Sequence, residues 1–341
     1  MRILVTGARG FLGRAVAAAA AREGLVVRGV SRSAQPARDG IESIAADLLT
    51  ADLSSALANV DVIIHAAAAS DWQDTVTMTR RLLDAAMLRQ PTAFLLISSL
   101  AVLHYRTTRV DDEVSENSPL ESAPADRDGY ARAKLEQERL SREWATQGRR
   151  LTIVRPGAVI SATNLWTPRL GFKLKGRRWL RVKTTATLPL VHVEACAAAV
   201  VAVALAADPS PVVHLINANP PTQQQYIDAL GTRGMLDSPS ATIPYRALRT
   251  VASAAWPVTK YLPPLRSRMP GALVPARLDG RFKPLRFSTA LGRRFMRDFA
   301  DQTALDLLAD RGKLATAADQ SYGAVGGGSL SDQCHIQARP R

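Results

Sequence analysis

Three glycines, Gly7, Gly10 and Gly13, stand directly behind a short β-rich run, Arg2 to Thr6, and at the mouth of an alanine-rich stretch, Phe11 to Glu23, that reads as a helix. A strand that turns into a helix within a few residues needs glycine where the backbone bends and where two segments touch. The N–H groups at the mouth of such a helix, with the helix dipole behind them, hold an anion such as a pyrophosphate. An ordinary glycine-rich turn is the alternative, since glycines punctuate many turns. The strand-to-helix context favours nucleotide binding.

The pattern then repeats. Leu25 to Ser31, Ile41 to Ala46, Val60 to His65 and Ala93 to Ser98 are short apolar runs separated by helical stretches such as Asp71 to Arg89. Alternation of this kind predicts a parallel sheet with helices on its faces. A polar loop from Arg106 to Asp128 leads to a charged helix, Tyr130 to Ala145, and to the run Leu151 to Val154, closed by Arg155-Pro156-Gly157. Proline, glycine and basic residues loosen the pattern up to Lys183. Leu188 to Val193, the apolar helix Ala195 to Ala207 and Val212 to Ile216 read as a return to the sheet, and Thr222 starts a further helix. The expected fold is α/β, a Rossmann-type doubly wound parallel sheet with a smaller, mostly C-terminal substrate-binding lobe. Residues 1–156 with about 188–217 make the nucleotide-binding domain, about 157–187 with 218–312 the lobe, and the Ala-, Gly- and Ser-rich 313–341 a disordered tail.

Bulk properties narrow the class. A chain of 341 residues that is 47% hydrophobic builds a substantial core. The start reaches Gly7 too soon for a secretory leader, and the longest apolar stretch, Ala195 to Ala207, is too short to span a bilayer. Two cysteines, Cys196 in an apolar run and Cys334 in the polar tail, do not suggest a disulfide, and a cytoplasmic location fits. The five histidines show no ligand spacing with the cysteines or with one another, so no metal is expected. His65 and His192 read as packing residues, whereas His104 is a candidate for the substrate pocket.

An acidic residue after the second strand would hydrogen-bond an adenosine ribose and repel a 2′-phosphate, but Ser31-Arg32-Ser33 stands there. Arg32, with Arg9 inside the glycine loop, therefore favours NADP(H), with NAD(H) as the competing cofactor. Tyr130 and Lys134 are four apart at a helix start and share one face. A tyrosine must drop about 3 units from its ordinary pKa near 10 to work near neutrality, roughly 4 kcal/mol of preferential phenolate stabilisation. Lys134 and an oxidised nicotinamide can supply it. Ser99, just after the Ala93 to Ser98 run, would hydrogen-bond the substrate oxygen that Tyr130 protonates or deprotonates, with Ser98 as rival.

Together these residues resemble the extended short-chain dehydrogenase/reductase family, also called the NAD-dependent epimerase/dehydratase family, over about residues 1–217. The carriers are Thr6-Gly7-Ala8-Arg9-Gly10-Phe11-Leu12-Gly13, Asp47-Leu48, His65-Ala66-Ala67-Ala68, Ser98-Ser99, Tyr130 with Lys134, Arg155-Pro156-Gly157, and Pro189-Leu190-Val191-His192-Val193-Glu194. The resemblance implies that Asp47 and Leu48 border the adenine and that Ala66 and Ala67 line the adenosine side. It further implies that Lys134 holds the nicotinamide ribose, Ser99 and Tyr130 face the substrate, and Pro156 passes beside the nicotinamide. The chain departs from the family at Thr75, where asparagine is usual, at Leu103-His104, where Tyr-Gly is usual, and at Ala195, where aspartate is usual. These departures touch substrate assignment, not cofactor binding.

Net charge is +14, and between Glu143 and Glu194 ten Arg or Lys occur with no Asp or Glu. Trp166 to Lys183 carries seven of them, interleaved with Trp166, Phe172 and Trp179. A phosphate-binding loop over a phosphorylated small-molecule substrate is the preferred reading. Contact with an anionic membrane surface through 166–183 and a plain solvated face are the alternatives. No nucleic-acid-binding motif accompanies the charge. The expected activity is an NADP(H)-preferring oxidoreductase that moves hydride between nicotinamide and a carbonyl or alcohol carbon, on a substrate that could be sugar-nucleotide or sterol-like. A nucleotide-sugar epimerase or dehydratase with tightly held NAD is the alternative, and a non-catalytic NADP sensor a third. The resemblance is compatible with a homodimer.

Overall fold

Apolar runs in the first two thirds of the chain become strands, and the helices between them fall on the two faces of one sheet. The computed structural model describes residues 1–33, 40–89, 91–146, 149–176, 178–261 and 273–309. β1 (Arg2–Thr6) passes through the glycine turn into α1 (Phe11–Arg22), followed by β2 (Val26–Ser31), β3 (Ile41–Ala45), β4 (Val62–His65), α2 (Trp72–Arg89) and β5 (Ala93–Ile97). A long connection carrying β6 (Glu113–Val114) leads to α3 (Gly129–Ala145), β7 (Arg150–Pro156) and β8 (Ala158–Ile160). Next come β9 (Gly171–Lys173), β10 (Trp179–Lys183), β11 (Leu190–His192), α4 (Val193–Leu205), β12 (Val212–Leu215), α5 (Gln223–Gly231) and β13 (Ala241–Pro244). Then follow α6 (Tyr245–Tyr261), α7 (Pro275–Phe282), β14 (Arg286–Phe287) and the single turn α8 (Ala290–Arg293).

The main sheet is parallel, with strand order β12-β7-β5-β4-β1-β2-β3. After β1 the chain lays down β2 and β3 on one side, then crosses back to place β4 on the other. The connections that leave β1 and β4 therefore part, and a crevice opens at the carboxyl ends of these two strands, where doubly wound sheets bind ligands. This is the Rossmann-type arrangement the sequence predicts. Alternation along β1 sends Ile3 and Val5 to a layer made by α1 and α4, and Leu4 to the layer under α2 and α3. Alanines on both α1 and α4 let those helices approach closely. Cys196 sits in that layer as a buried free thiol, its pKa pushed up to about 12 by burial. On the opposite face Phe94 packs against Trp144 with ring centroids 5.5 Å apart.

Two expectations are corrected. Leu188 to Val193 does not rejoin the main sheet: the turn at Pro156-Gly157 takes the chain out of it, and β11 pairs with β8, Leu190 opposite Ala158, while β12 is the strand that returns. The basic stretch up to Lys183 is not loosened chain either, because β9 and β10 form an antiparallel hairpin onto which β13 adds in parallel. A Cβ on Gly171 would lie 1.9 Å from the Leu180 carbonyl oxygen, so only glycine allows the hairpin to close there. The proposed tail, 313–341, lies outside the described residues, and with it Cys334 and His335. Among the described residues no helix is long and apolar enough to cross a membrane.

One buried ion pair joins the sheet to α3. Arg155 of β7 donates through Nε to one oxygen of Glu138 and through a terminal nitrogen to the other, each at 2.8 Å, and both side chains are essentially inaccessible to water. Removing one partner of such a pair strands the other charge. Arg155→Met is expected to lower the unfolding free energy by about 3–5 kcal/mol. In urea denaturation the double variant with Glu138→Leu should lose less than the single one.

Candidate active site

The chain turns at Gly7 with φ 67°. A Cβ on Gly7 would lie 2.8 Å from the Ala67 Cα, and one on Gly13 would lie 2.2 Å from the Gly7 carbonyl oxygen. Side chains are thus excluded where the loop packs against the end of β4 and against α1. Gly10 begins α1 with no side-chain cap, and no acidic residue occupies the first turn, so the positive end of α1 at Phe11, Leu12 and Gly13 is open to an anion. These features fit a dinucleotide pyrophosphate. Ala66 and Ala67 follow β4, and the Ala67 N–H donates to the Thr6 hydroxyl at 3.3 Å.

At the end of β2, Arg9 donates to the Ser33 hydroxyl, and the Ser31 hydroxyl donates to the Ser33 carbonyl at 2.8 Å. Arg32 is exposed beside them. The place where a ribose-binding carboxylate would stand thus carries Arg9 and Arg32 with Ser31 and Ser33. After β3 the Asp47 carboxylate accepts from the Leu49 N–H at 2.9 Å, which fixes the turn. Leu48 is buried, and its carbonyl is held by Arg81 at 3.1 Å.

The second group of residues rests on α3. Asp128 caps the helix, accepting from the Ala131 N–H at 2.9 Å. Its carboxylate works against burial with the help of Arg281, the cap hydrogen bond and Arg127, and its pKa is held below the ordinary value. Tyr130, Lys134 and Glu138 then follow at four-residue spacing on one face. Ser99 caps the short turn Leu100–Val102, its Oγ accepting from the Ala101 N–H at 3.1 Å. Tyr130 keeps 43% of its surface, yet its phenol pKa is raised by burial; the hydrogen bond with Ser99 opposes the rise, and Asp128 adds to it. The Lys134 ammonium donates to the Ile97 carbonyl at 2.8 Å, and burial, partly opposed by Glu138, lowers its pKa to about 8. Ser98 is not available as the rival hydroxyl, because it donates to Glu138 at 2.6 Å.

Beneath these groups lies a buried polar chain that the sequence did not disclose. His65 shares hydrogen bonds with Thr6 at 2.7 Å and Thr79 at 2.9 Å, and Gln137 donates to Thr79 at 2.7 Å. Glu138 and Gln137 could have been noticed as the next turn of the Tyr130/Lys134 helix. Thr79 carries no signal of its own. Pro156-Gly157 is pressed against the chain before β11, since a Cβ on Gly157 would lie 2.1 Å from the Pro189 carbonyl oxygen.

Other candidates are placed elsewhere. His104 lines a cavity of about 290 Å³ with Arg106, Glu121 and Ala276, apart from Ser99 and Tyr130. His192 is buried at the start of α4. The basic segment divides. Arg181 is tied to Gln223 and Gln224 at 3.0 and 2.8 Å, Lys173 lies over Trp166, and Lys175 and Arg178 are exposed at the hairpin end. Arg169 is half-buried and lies over Phe287, 5.4 Å from the ring centroid. The aromatic residues pack on one another, Trp166 on Trp179 and Phe172 on Phe282. Among the described residues no cluster of histidine, cysteine or carboxylate side chains could hold a metal.

Strand order and glycine cradle together are those of a Rossmann-type dinucleotide-binding unit. The chain belongs to the NAD dependent epimerase/dehydratase family, whose model matches residues 3–218. A search of curated proteins finds no match. Among solved structures the chain is similar to MoeE5 in complex with UDP-glucose and NAD, at 18% identity and a TM-score of 0.67 over 93% of this chain and 99% of that one. It is also similar to TunA, an NAD-dependent NDP-hexosamine 5,6-dehydratase involved in tunicamycin biosynthesis, at 18% identity and 0.63 over 92% and 98%. A third is a variant UDP-glucuronic acid 4-epimerase from Bacillus cereus holding a fluorinated UDP-sugar and NAD, at 18% identity and 0.64 over 93% and 100%. At such identities the likeness is one of fold.

Burial also makes the site floor pH-sensitive. His65 has its pKa lowered from 6.5 to about 3, first by burial and then by Lys134. Between those values the unfolded chain binds a proton that the folded chain refuses, so stability falls as pH falls, by up to about 1.4 kcal/mol per pH unit for this group. Urea denaturation between pH 7 and 5 is expected to show a shallower pH slope in His65→Asn than in the parent. Equal slopes would assign the acid sensitivity to other groups.

Proposed function

We propose that the protein binds a nicotinamide dinucleotide across the carboxyl ends of β1, β2 and β4 and acts with it on an alcohol or carbonyl carbon of a nucleotide-linked sugar. The observation that carries this reading is the single α3 face that sets Tyr130 and Lys134 beside Ser99, in the same crevice as the glycine cradle. A bound nicotinamide supplies the hydride acceptor and donor. Ser99 holds the reacting oxygen by hydrogen bond, and Tyr130 takes its proton or returns it. Lys134 is charged below about pH 8 in the free protein and stabilises the phenolate. Of its three N–H donors one is spent on Ile97, and the others would hold the nicotinamide ribose. Pro156 would stand beside the nicotinamide. The substrate class is drawn from the solved structures of similar fold, two of which hold a UDP-sugar.

Tyr130→Phe is expected to lower turnover by about 10²–10⁴-fold while dinucleotide affinity stays within about twofold. Steady-state rates with titrations on the same preparation check both, and full activity in the variant would sink the mechanism.

Arg9 and Arg32 favour a second reading, in which NADP(H) binds and dissociates at each turnover as in a reductase; NAD(H), the cofactor in the solved structures of similar fold, is the competing occupant. Equilibrium binding should show NADPH preferred over NADH by about tenfold, with the preference lost in Arg32→Asp. Preference for NADH in the parent, or copurifying NAD⁺, would return the cofactor to NAD and leave the epimerase/dehydratase chemistry in place.

A further inference from the structure

The end of the β9/β10 hairpin presents side chains that the fold itself does not use. Phe172 packs on Phe282, and Trp179 is buried with its indole N–H donating to the Asp237 carbonyl at 2.8 Å. Arg181, also buried, spends its guanidinium on Gln223 and Gln224. The residues beyond these face water. Lys173, Lys175 and Arg178 are exposed, and Leu174 between the two lysines keeps 43% of its surface. The Leu174 N–H donates to the Arg178 carbonyl at 2.9 Å, so these side chains stand on paired backbone. Among the described residues Lys175 and Arg178 have no carboxylate partner. A recess of about 260 Å³ opens beside them, walled by Trp166, Trp179, Leu236, Lys173 and Arg178, with Asp237 as the one acidic residue of its lining. Met235, next to Leu236, keeps 39% of its surface, and Arg233 is exposed two residues before it. One exposed apolar side chain needs no explanation. Two of them, on the two segments that meet at one recess and each accompanied by exposed cations, form an amphipathic surface.

We infer that this hairpin end docks on an anionic lipid bilayer, with Leu174 and Met235 entering the headgroup layer while Lys173, Lys175 and Arg178 meet lipid phosphates. Long basic side chains keep their charge at the headgroups as the apolar one between them reaches the acyl boundary. The half-buried Trp166 adds the amphipathic ring that a membrane–water interface favours. A soluble polyanion would answer the cations and leave Leu174 and Met235 in water. Among the described residues no helix crosses a membrane, so the contact is with the surface of the bilayer. The inference does not depend on the catalytic reading, since none of these residues belongs to the α3 face or the glycine cradle.

The full chain is sedimented with vesicles of phosphatidylcholine alone and with vesicles of phosphatidylcholine and phosphatidylglycerol in equal parts. The parent is compared with Lys175→Gln/Arg178→Gln, with Leu174→Asn, and with a control, Arg89→Gln/Arg294→Gln, that removes the same charge from exposed positions elsewhere. The parent is expected to bind the anionic vesicles and not the neutral ones, more weakly as salt rises. The hairpin double variant should lose about 25-fold in affinity, about fivefold for each charge, with its melting temperature unchanged. The control should lose far less. Leu174→Asn, with the charge intact, should also bind more weakly. No binding of the parent to anionic vesicles overturns the inference. Equal loss in the control assigns the attraction to net charge and overturns it as well. Unchanged binding in Leu174→Asn removes the apolar contact and with it the bilayer as partner, whatever the double variant does. Free glycerol phosphate separates the two sources of phosphate: if it raises the melting temperature of the parent and not of the double variant, the recess is a site for a soluble phosphate and the lipid assignment falls.

Discussion

A carboxylate taken out of water would neutralise itself unless cations and donors replaced its hydration. Glu138 stays ionised because Arg155 meets both of its oxygens, with Ser98 and Arg142 adding further bonds. Burial alone would raise its pKa; these partners hold it below the ordinary value. The residues so bound are placed with consequence. Ser98 precedes Ser99 at the end of β5, Arg155 precedes Pro156 at the end of β7, and Glu138 stands one helical turn beyond Lys134. One buried anion thereby fixes two strand ends against the helix that carries the proposed acid/base pair, and a shift of any of the three elements would break charge-assisted bonds in a low-dielectric interior.

The residue before it extends the same logic across the sheet. Gln137 reaches Thr79 of α2, which bonds His65 of β4, which bonds Thr6 of β1. Consecutive residues of α3 thus stitch β5 and β7 on one side and β1 and β4 on the other, beneath the crevice that the strand order opens. The cost of this dry floor is borne by Lys134, whose charged form loses hydration and keeps only Ile97 and the field of Glu138 in return. A lysine poised in this way responds to whatever occupies the crevice, since hydroxyl acceptors there would restore part of what burial removed.

Much of this was legible in the chain. Gly7, Gly10 and Gly13 placed the cradle because a tight strand-to-helix turn leaves no room for side chains at that spacing, and the apolar runs marked the strands of the main sheet within a residue or two at most ends. Tyr130 and Lys134 were legible through a helical spacing that needs no tertiary knowledge. What was not legible depended on pairing between distant segments. β11 carries the same apolar signal as β12, yet Pro156-Gly157 turns its partner β8 out of the main sheet, and no local pattern records that. The β9/β10 hairpin was masked by its lysines and arginines, because residues such as Trp179 and Val182 that anchor it are few and widely spaced. Ser98 stayed a rival to Ser99 until the fold showed it bound to Glu138.

The same dependence on tertiary pairing governs what the net charge means. A chain with +14 invites the picture of a basic surface waiting for an anionic partner. Many of the arginines are instead internal fasteners. Arg28 donates to the carbonyls of Ser55, Ala56 and Ala58, Arg81 to those of Leu48 and Ala51, and Arg150 to that of Ala207. A guanidinium suits this task because its planar fork reaches several carbonyls at once, each with a charge-assisted bond, where a turn has no ladder to satisfy it. Such arginines leave a positive excess in the count while their donors are already committed to the fold. The charge free to act on a ligand is therefore smaller and more local than the composition implies. Among the described residues part of it stands beside Ser33, where Arg32 is exposed, and part at the end of the β9/β10 hairpin, on Lys175 and Arg178.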